Sequence, residues 1–270
     1  MNDFMGRVAV VTGGGGGIGA AMAEAFAARG ARVVLADLQL DAAEAVATRL
    51  RAGGAEAIAV RTDVTARDAV EALADATVAR FGAVHIVCNN AGVATFGEIA
   101  TATPADWEFT MRVNFWGVVY GVQAFVPRLL AQGQGGHIVN TASMAGLVGM
   151  QWLGVYCASK FAVVGLSEAL HRELKPHGIG VSVLCPMIVA TNINENSVTR
   201  RPTTLRNPGE PVIPPAAAMV GSTITTEEAA RRVVRGIERN DLYVLTHPEQ
   251  REILKRRWAR QDAMFEPGTW

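Results

Sequence analysis

Lysine is almost missing from this chain. Lys160, Lys175 and Lys255 stand against 22 arginines, so a lysine marks a place where a compact ammonium is wanted rather than any cation. Cysteine is nearly as scarce. Cys88, Cys157 and Cys185 are odd in number and far apart, which excludes a disulfide framework and a C-x-x-C metal spacing. They read as reduced thiols packed as small hydrophobes, and no metal is expected. Charge imbalance is absent: 25 basic and 25 acidic residues give a net charge of zero. That leaves no electrostatic footprint for nucleic acid or an anionic membrane, and weak self-repulsion favours association with further copies. No run approaches the roughly 20 apolar residues of a membrane helix, and Met1–Gly6 carries no apolar signal region. A soluble cytoplasmic protein is expected.

What the chain does contain is alternation. Short β-branched runs at 7–12, 31–37, 57–61, 84–88, 137–140, 181–184 and 242–246 are separated by alanine-rich segments of helical period. The helices are expected at 18–29, 40–52, 67–81, 104–130, 155–175 and 226–239, with a helical then irregular tail from Pro248. Strands without polar alternation, each followed by a helix, indicate a parallel sheet covered on both faces. Right-handed crossovers make this an α/β, Rossmann-type, doubly wound sheet of about seven strands. Residues 192–225 break the pattern with five prolines and read as a substrate-binding loop or lid. No linker or repeat divides 1–270, which is read as one dinucleotide-binding and catalytic domain.

Thr12-Gly-Gly-Gly-Gly-Gly-Ile-Gly19 lies where the first strand hands over to the first helix. Glycines there allow a sharp turn and let a pyrophosphate approach the N–H groups of a helix start. Gly13, Gly17 and Gly19 are assigned to the turn and close approach, with Ile18 beside them, and Gly14–Gly16 to added looseness. Asp37 closes the second strand, about 20 residues on, where a carboxylate bonds ribose hydroxyls and repels a 2′-phosphate. Leu38 follows it and the turn carries no basic residue, so NAD(H) is favoured.

Tyr156 and Lys160 are four residues apart on a helix, hence on one face. An ammonium about 4 Å away, at an effective dielectric of about 20, favours a phenolate by roughly 4 kcal/mol, about three pKa units. That brings tyrosine into the range of a general acid/base.

Taken with Asn89-Asn-Ala-Gly92, Ser143 and Tyr156-Cys-Ala-Ser-Lys160 in order, these motifs resemble the short-chain dehydrogenase/reductase family in its single-domain form, from about Arg7 to Thr191. The resemblance implies a catalytic set of Asn114, Ser143, Tyr156 and Lys160. Tyr156 is the acid/base, Lys160 lowers its pKa and holds the nicotinamide ribose, and Ser143 bonds the substrate oxygen. Asn114 supports a water-linked proton relay. It further implies Asp63 and Val64 at the adenine, Asn90, Ala91 and Gly92 along the cofactor groove, and Val189 and Thr191 at the carboxamide. One position departs from the family: Pro186 is followed by Met187 where glycine is usual, which puts the placement of Val189 and Thr191 in question. Homotetramers or dimers formed through the helices at 104–130 and 155–175 are also implied.

The implied activity is NAD(H)-dependent interconversion of a secondary alcohol and a ketone. Ser143, Ala145, Met150, Gln151, Tyr156 and Met187 are expected around the substrate, with Phe96 and Met219 extending an apolar wall. No Arg or Lys occurs within 144–155, and the 243–248 ending is similar to family members acting on bulky aryl or hydrophobic alcohols. Three alternatives stay open: a biosynthetic ketoacyl-type reductase, a non-catalytic NAD-binding regulator, and a sugar epimerase lacking the usual larger substrate domain.

Overall fold

All five residues of Val8–Thr12 are buried. Ala9 and Val11 pack into one apolar cluster while Val8 and Val10 pack into a second. Successive side chains of a strand point to opposite faces, so this strand needs helices on both sides. The computed structural model, which describes residues 1, 3–209 and 221–265, supplies them.

The strands are β1 (Val8–Thr12), β2 (Arg32–Asp37), β3 (Ala57–Arg61), β4 (Ile86–Asn89), β5 (Gly136–Thr141), β6 (Ile179–Cys185), β7 (Ile188–Val189), β8 (Thr223–Ile224) and β9 (Tyr243–Leu245). The helices are α1 (Gly17–Ala27), α2 (Leu40–Ala52), α3 (Arg67–Phe81), α4 (Pro104–Met111), α5 (Gly117–Gln132), α6 (Gly154–Leu174), α7 (Ile193–Thr199), α8 (Thr226–Arg239) and α9 (Arg251–Asp262). Seven strands form one sheet in the order β3-β2-β1-β4-β5-β6-β9, parallel at every pairing. On one face, Met22 and Phe26 of α1, Val46 and Leu50 of α2 and Val233 and Ile237 of α8 share a cluster. On the other, Leu73 of α3, Phe125 and Leu129 of α5 and Leu170 of α6 do so. The chain runs outward from β1 to β3 and then returns to β4 on the far side of β1. Ligands bind at such a reversal, outside the carboxyl ends of the strands.

Two expectations are corrected. The single long helix at 104–130 is broken: a π-helical turn, Arg112–Trp116, separates α4 from α5. Its cause is tertiary. The Asn114 side chain accepts from the Val93 amide at 2.9 Å and donates to the Val93 carbonyl at 2.9 Å, and a widened turn admits such a bridge. The segment at 192–225 is also not wholly irregular, since α7 lies within it and β8 pairs in parallel with β7. Met219, Pro211, Pro214 and Pro215 lie outside the described residues.

Two clamps hold this segment. Thr103 and Asp106 form a reciprocal capping box at the start of α4, with Pro104 in the first turn. Arg201 pairs with the same Asp106 at 2.7 Å and lies over the Phe109 ring. His247, buried just beyond β9, accepts from the Met187 amide at Nδ1, 3.3 Å away, while Nε2 meets the carbonyls of Ile188 and Ser222. That pattern places the ring proton on Nε2.

Candidate active site

The glycine turn is shaped by collisions that side chains would cause. Gly13 and Gly17 have φ of +66° and +54°, where L side chains are strained. Gly15 is not loose, contrary to expectation. Its amide donates to Asp37 Oδ2 at 3.0 Å, and a Cβ there would stand 2.9 Å from that same oxygen. A Cβ on Gly19 would overlap the Gly13 carbonyl oxygen, so Gly19 closes the turn from inside and does not line the cavity. No side chain caps the start of α1 at Gly16, which leaves first-turn N–H groups for an anion.

A cavity of about 860 Å³ runs from this turn along the carboxyl ends of β1, β2, β4, β5 and β6. Of the residues expected at a cofactor, Gly13, Gly17, Ile18, Asp37, Asp63, Val64, Asn90, Ala91, Gly92, Tyr156, Lys160, Val189 and Thr191 line it. Val189 and Thr191, whose placement Met187 put in question, are both among them. Thr191 sits against the turn, its methyl 3.3 Å from where a Gly17 Cβ would be. The cavity's length, the bare helix start and the buried Asp37 suit an extended dinucleotide.

Four side chains gather at the far end. Ser143 follows β5, its hydroxyl accepting from the Ala145 amide at 3.1 Å and donating to the Pro186 carbonyl at 3.3 Å. It stands close enough to the Tyr156 phenol to work against the rise in its pKa. Lys160, one turn along α6, is buried and donates to the Thr141 carbonyl at 2.8 Å. Asn114 lies behind the wall rather than in it, bonded to Val93 and, at 3.1 Å, to Ser159. Gly92 spaces them: a Cβ there would meet Asn114 Oδ1 at 3.4 Å and Lys160 Nζ at 3.5 Å.

The electrostatics differ from the expectation at one point. Burial pushes the Tyr156 phenol up to about 12, opposed only in part by the neighbouring Ser143 hydroxyl. Burial likewise brings Lys160 down to about 8. The ammonium lies 5.6 Å from the tyrosine ring centre and is held by a carbonyl, so desolvation outweighs the attraction that spacing alone suggested.

Of the residues expected around a substrate, Ser143, Ala145, Met150, Tyr156 and Met187 line the cavity, as does Phe96, whereas Gln151 does not. Gln151 is exposed because the chain turns outward just before Trp152, at φ +66°. Sequence reasoning missed Phe109, Leu205, Arg112 and Arg200, which also line the cavity. Local sequence carries no sign of them, since they arrive from α4, the π turn and the segment that follows α7. Among the described residues no helix is long and apolar enough to cross a membrane. No group of three or more His, Cys, Asp or Glu residues there could hold a metal ion.

Residues 7–202 match the family model for short chain dehydrogenase. The chain belongs to that family. It is 36% identical over 261 residues to the C alpha-dehydrogenase of a Sphingobium strain, spanning 95% of this chain and 85% of that protein. A crystal structure of a short-chain dehydrogenase/reductase from Burkholderia phymatum in complex with NAD superposes with a TM-score of 0.92 at 39% identity, covering 99% of this chain and 98% of that one. A metagenomic short-chain oxidoreductase in complex with NADP superposes with a TM-score of 0.72 at 30% identity, covering 90% and 98%. The protein is thus an oxidoreductase of the short-chain type, from a family that uses nicotinamide cofactors.

Proposed function

We propose that this short-chain dehydrogenase interconverts a secondary alcohol, hydrophobic or aryl-bearing, with its ketone, using NAD(H) and Tyr156 as the acid/base. The observation that carries the proposal is the convergence of Ser143, Tyr156 and Lys160 on one wall of the cavity, with Lys160 held on the Thr141 carbonyl. Residues 1–270 act in this reading as one catalytic unit with 192–225 as its lid, and α4, α5 and α6 are the proposed faces of self-association.

When bound, the nicotinamide supplies or accepts the hydride. The chain's own residues handle the proton and the oxygen. Gly13, Gly17, Ile18, Asp63, Val64, Asn90, Ala91 and Gly92 would hold the dinucleotide, with Val189 and Thr191 at the carboxamide and Asp37 at the adenosine ribose. Ser143 would turn its proton from the Pro186 carbonyl to the substrate oxygen and hold that oxygen beside the Tyr156 hydroxyl. In ketone reduction Tyr156 gives its proton to that oxygen, and a phenol pushed up to about 12 carries the needed proton at neutral pH. In alcohol oxidation it must take the proton as phenolate, a state that burial disfavours and a nearby ammonium offsets only in part. Lys160 would stand against that charge and hold the nicotinamide ribose, while Asn114 steadies the Val93 backbone behind them.

The preference for NAD(H) rests on Asp37, and the Burkholderia complex with NAD supports it. The dehydrogenase relative supports the reaction class. Phe96, Phe109, Leu153, Met150, Met187 and Leu205 give the substrate end an apolar wall, favouring a bulky apolar substituent over a charged one. The test is a panel of secondary alcohols and ketones followed at the NADH absorbance band, with NAD and NADP in parallel. Turnover of aryl or long-chain substrates with NAD is expected. Cofactor binding without turnover on any of them would instead identify a non-catalytic nucleotide sensor.

A further inference from the structure

Three cations line the cavity among the described residues: Arg112, Lys160 and Arg200. Arg112 is paired with Glu108 at 3.1 Å, both side chains largely exposed. Lys160 stands at the chemical end on the Thr141 carbonyl. Arg200 stands at the opposite end, where the adenosine is expected, and it comes from the lid.

Its situation is unusual for a guanidinium. Nη1 lies 3.6 Å from Asp37 Oδ1, beyond hydrogen-bond length, and Nη2 donates to the neutral Gln39 Oε1 at 3.1 Å. Nε is buried with no hydrogen-bond partner among the described residues. The Asp37 carboxylate is meanwhile engaged by main chain, Oδ2 accepting from Gly15 and Oδ1 from Gln39, both at 3.0 Å. A planar fork of donors is therefore held at the end of β2 with most of its donors unused, and guanidinium forks match phosphate oxygens. Asp37 alone would exclude a ribose 2′-phosphate. With Arg200 beside it the two charges cancel locally, and an anion there meets a cation as well as a carboxylate.

We propose that Arg200 is a second coenzyme-selecting residue, carried in by the lid, whose guanidinium holds the 2′-phosphate of NADP(H) next to Asp37. This rests on the nucleotide reading above and makes the selectivity against NADP graded rather than absolute. It also ties the lid to the adenosine end, because Arg201, the next residue, fastens the same segment to Asp106 on the substrate side.

The test is a double-mutant cycle read by binding. NADH and NADPH are titrated by nicotinamide fluorescence, and adenosine 5′-phosphate and adenosine 2′,5′-bisphosphate by calorimetry. The proteins are wild type, Arg200→Gln, Asp37→Ser and the double variant. Asp37→Ser should raise the NADPH-to-NADH affinity ratio about tenfold, and adding Arg200→Gln should remove most of that gain, as expected for a charge-assisted contact to phosphate. Arg200→Lys should keep the greater part of it, and the bisphosphate should follow NADPH. An affinity ratio that Arg200→Gln leaves the same in both backgrounds overturns the proposal. Failure of every nucleotide to bind the wild type overturns the nucleotide reading itself, and this proposal with it.

Discussion

At the end of the cavity beside the glycine turn, where the nucleotide is proposed to lie, main-chain atoms do most of the shaping. Gly15 reaches Asp37 through its amide, Gly19 packs against the Gly13 carbonyl, and the Asp37 carboxylate is held by two backbone N–H groups. At the chemical end the shaping is done by side chains from separate elements. Ser143 comes from the end of β5, Tyr156 and Lys160 from α6, Asn114 from the π turn and Met187 from the loop after β6. The first end is a steric device, intolerant of a single added carbon. The second is electrostatic: burial pushes its phenol up and its ammonium down, and it costs stability to hold ready.

Apart from removal of the acid/base itself, the largest effect expected from breaking this contrast is at Lys160. Lys160→Met should cut turnover by at least about a hundredfold and yet stabilise the fold. Lowering the ammonium from 10.5 to about 8 corresponds to roughly 3 kcal/mol of native-state penalty at neutral pH. The lost bond to Thr141 offsets about 1 kcal/mol, leaving a gain of about 2 kcal/mol. In the wild type, stability rises as pH climbs from about 8 to 10.5, because the unfolded lysine still binds a proton there and the folded one does not. The advantage of the variant should therefore shrink across that window. Urea melts at several pH values check the sign, and a destabilised variant at neutral pH would contradict it.

At the steric end the next largest effect runs the other way. Gly19→Ala should cost about 1–3 kcal/mol through overpacking and weaken both NADH and NADPH together, leaving their ratio unchanged. Thermal melts and fluorescence titration read this. A well-folded variant that binds normally would show the turn to be looser than described.

Much of the frame was legible in the chain. The helices at 40–52, 67–81 and 226–239 span the expected residues, because capping and apolar period are local properties. The strands were legible because burial on both faces removes polar alternation, as in Val8–Thr12. What escaped was tertiary. The π turn exists because Asn114 bridges to Val93, and Arg200 meets Asp37 across 163 positions of chain. The acidity of Tyr156 was misjudged from a four-residue spacing, because spacing reports proximity while burial sets the larger effect. Gln151 was placed at the substrate for adjacency alone, and one turn of backbone faces it outward.

The smallest expected effect is at Met187. Its amide is already held by His247, so Met187→Gly should leave cofactor affinity alone and change KM for bulky alcohols by about tenfold, the lower end of the effect of changing pocket volume. A shift in NADH affinity of that size would move Met187 from the substrate wall to the cofactor.

The proton step is the heart of this account, and one paired measurement reaches it. Wild type and Tyr156→Phe are titrated with NADH, and their alcohol oxidation and ketone reduction are followed across pH. Wild-type oxidation should rise from neutral into the alkaline range as the phenol loses its proton, while reduction stays level and then falls. Tyr156→Phe should bind NADH and lose both directions by about a thousandfold or more. A variant that binds and still turns over, with the same pH profile as the wild type, would show that another group carries the proton.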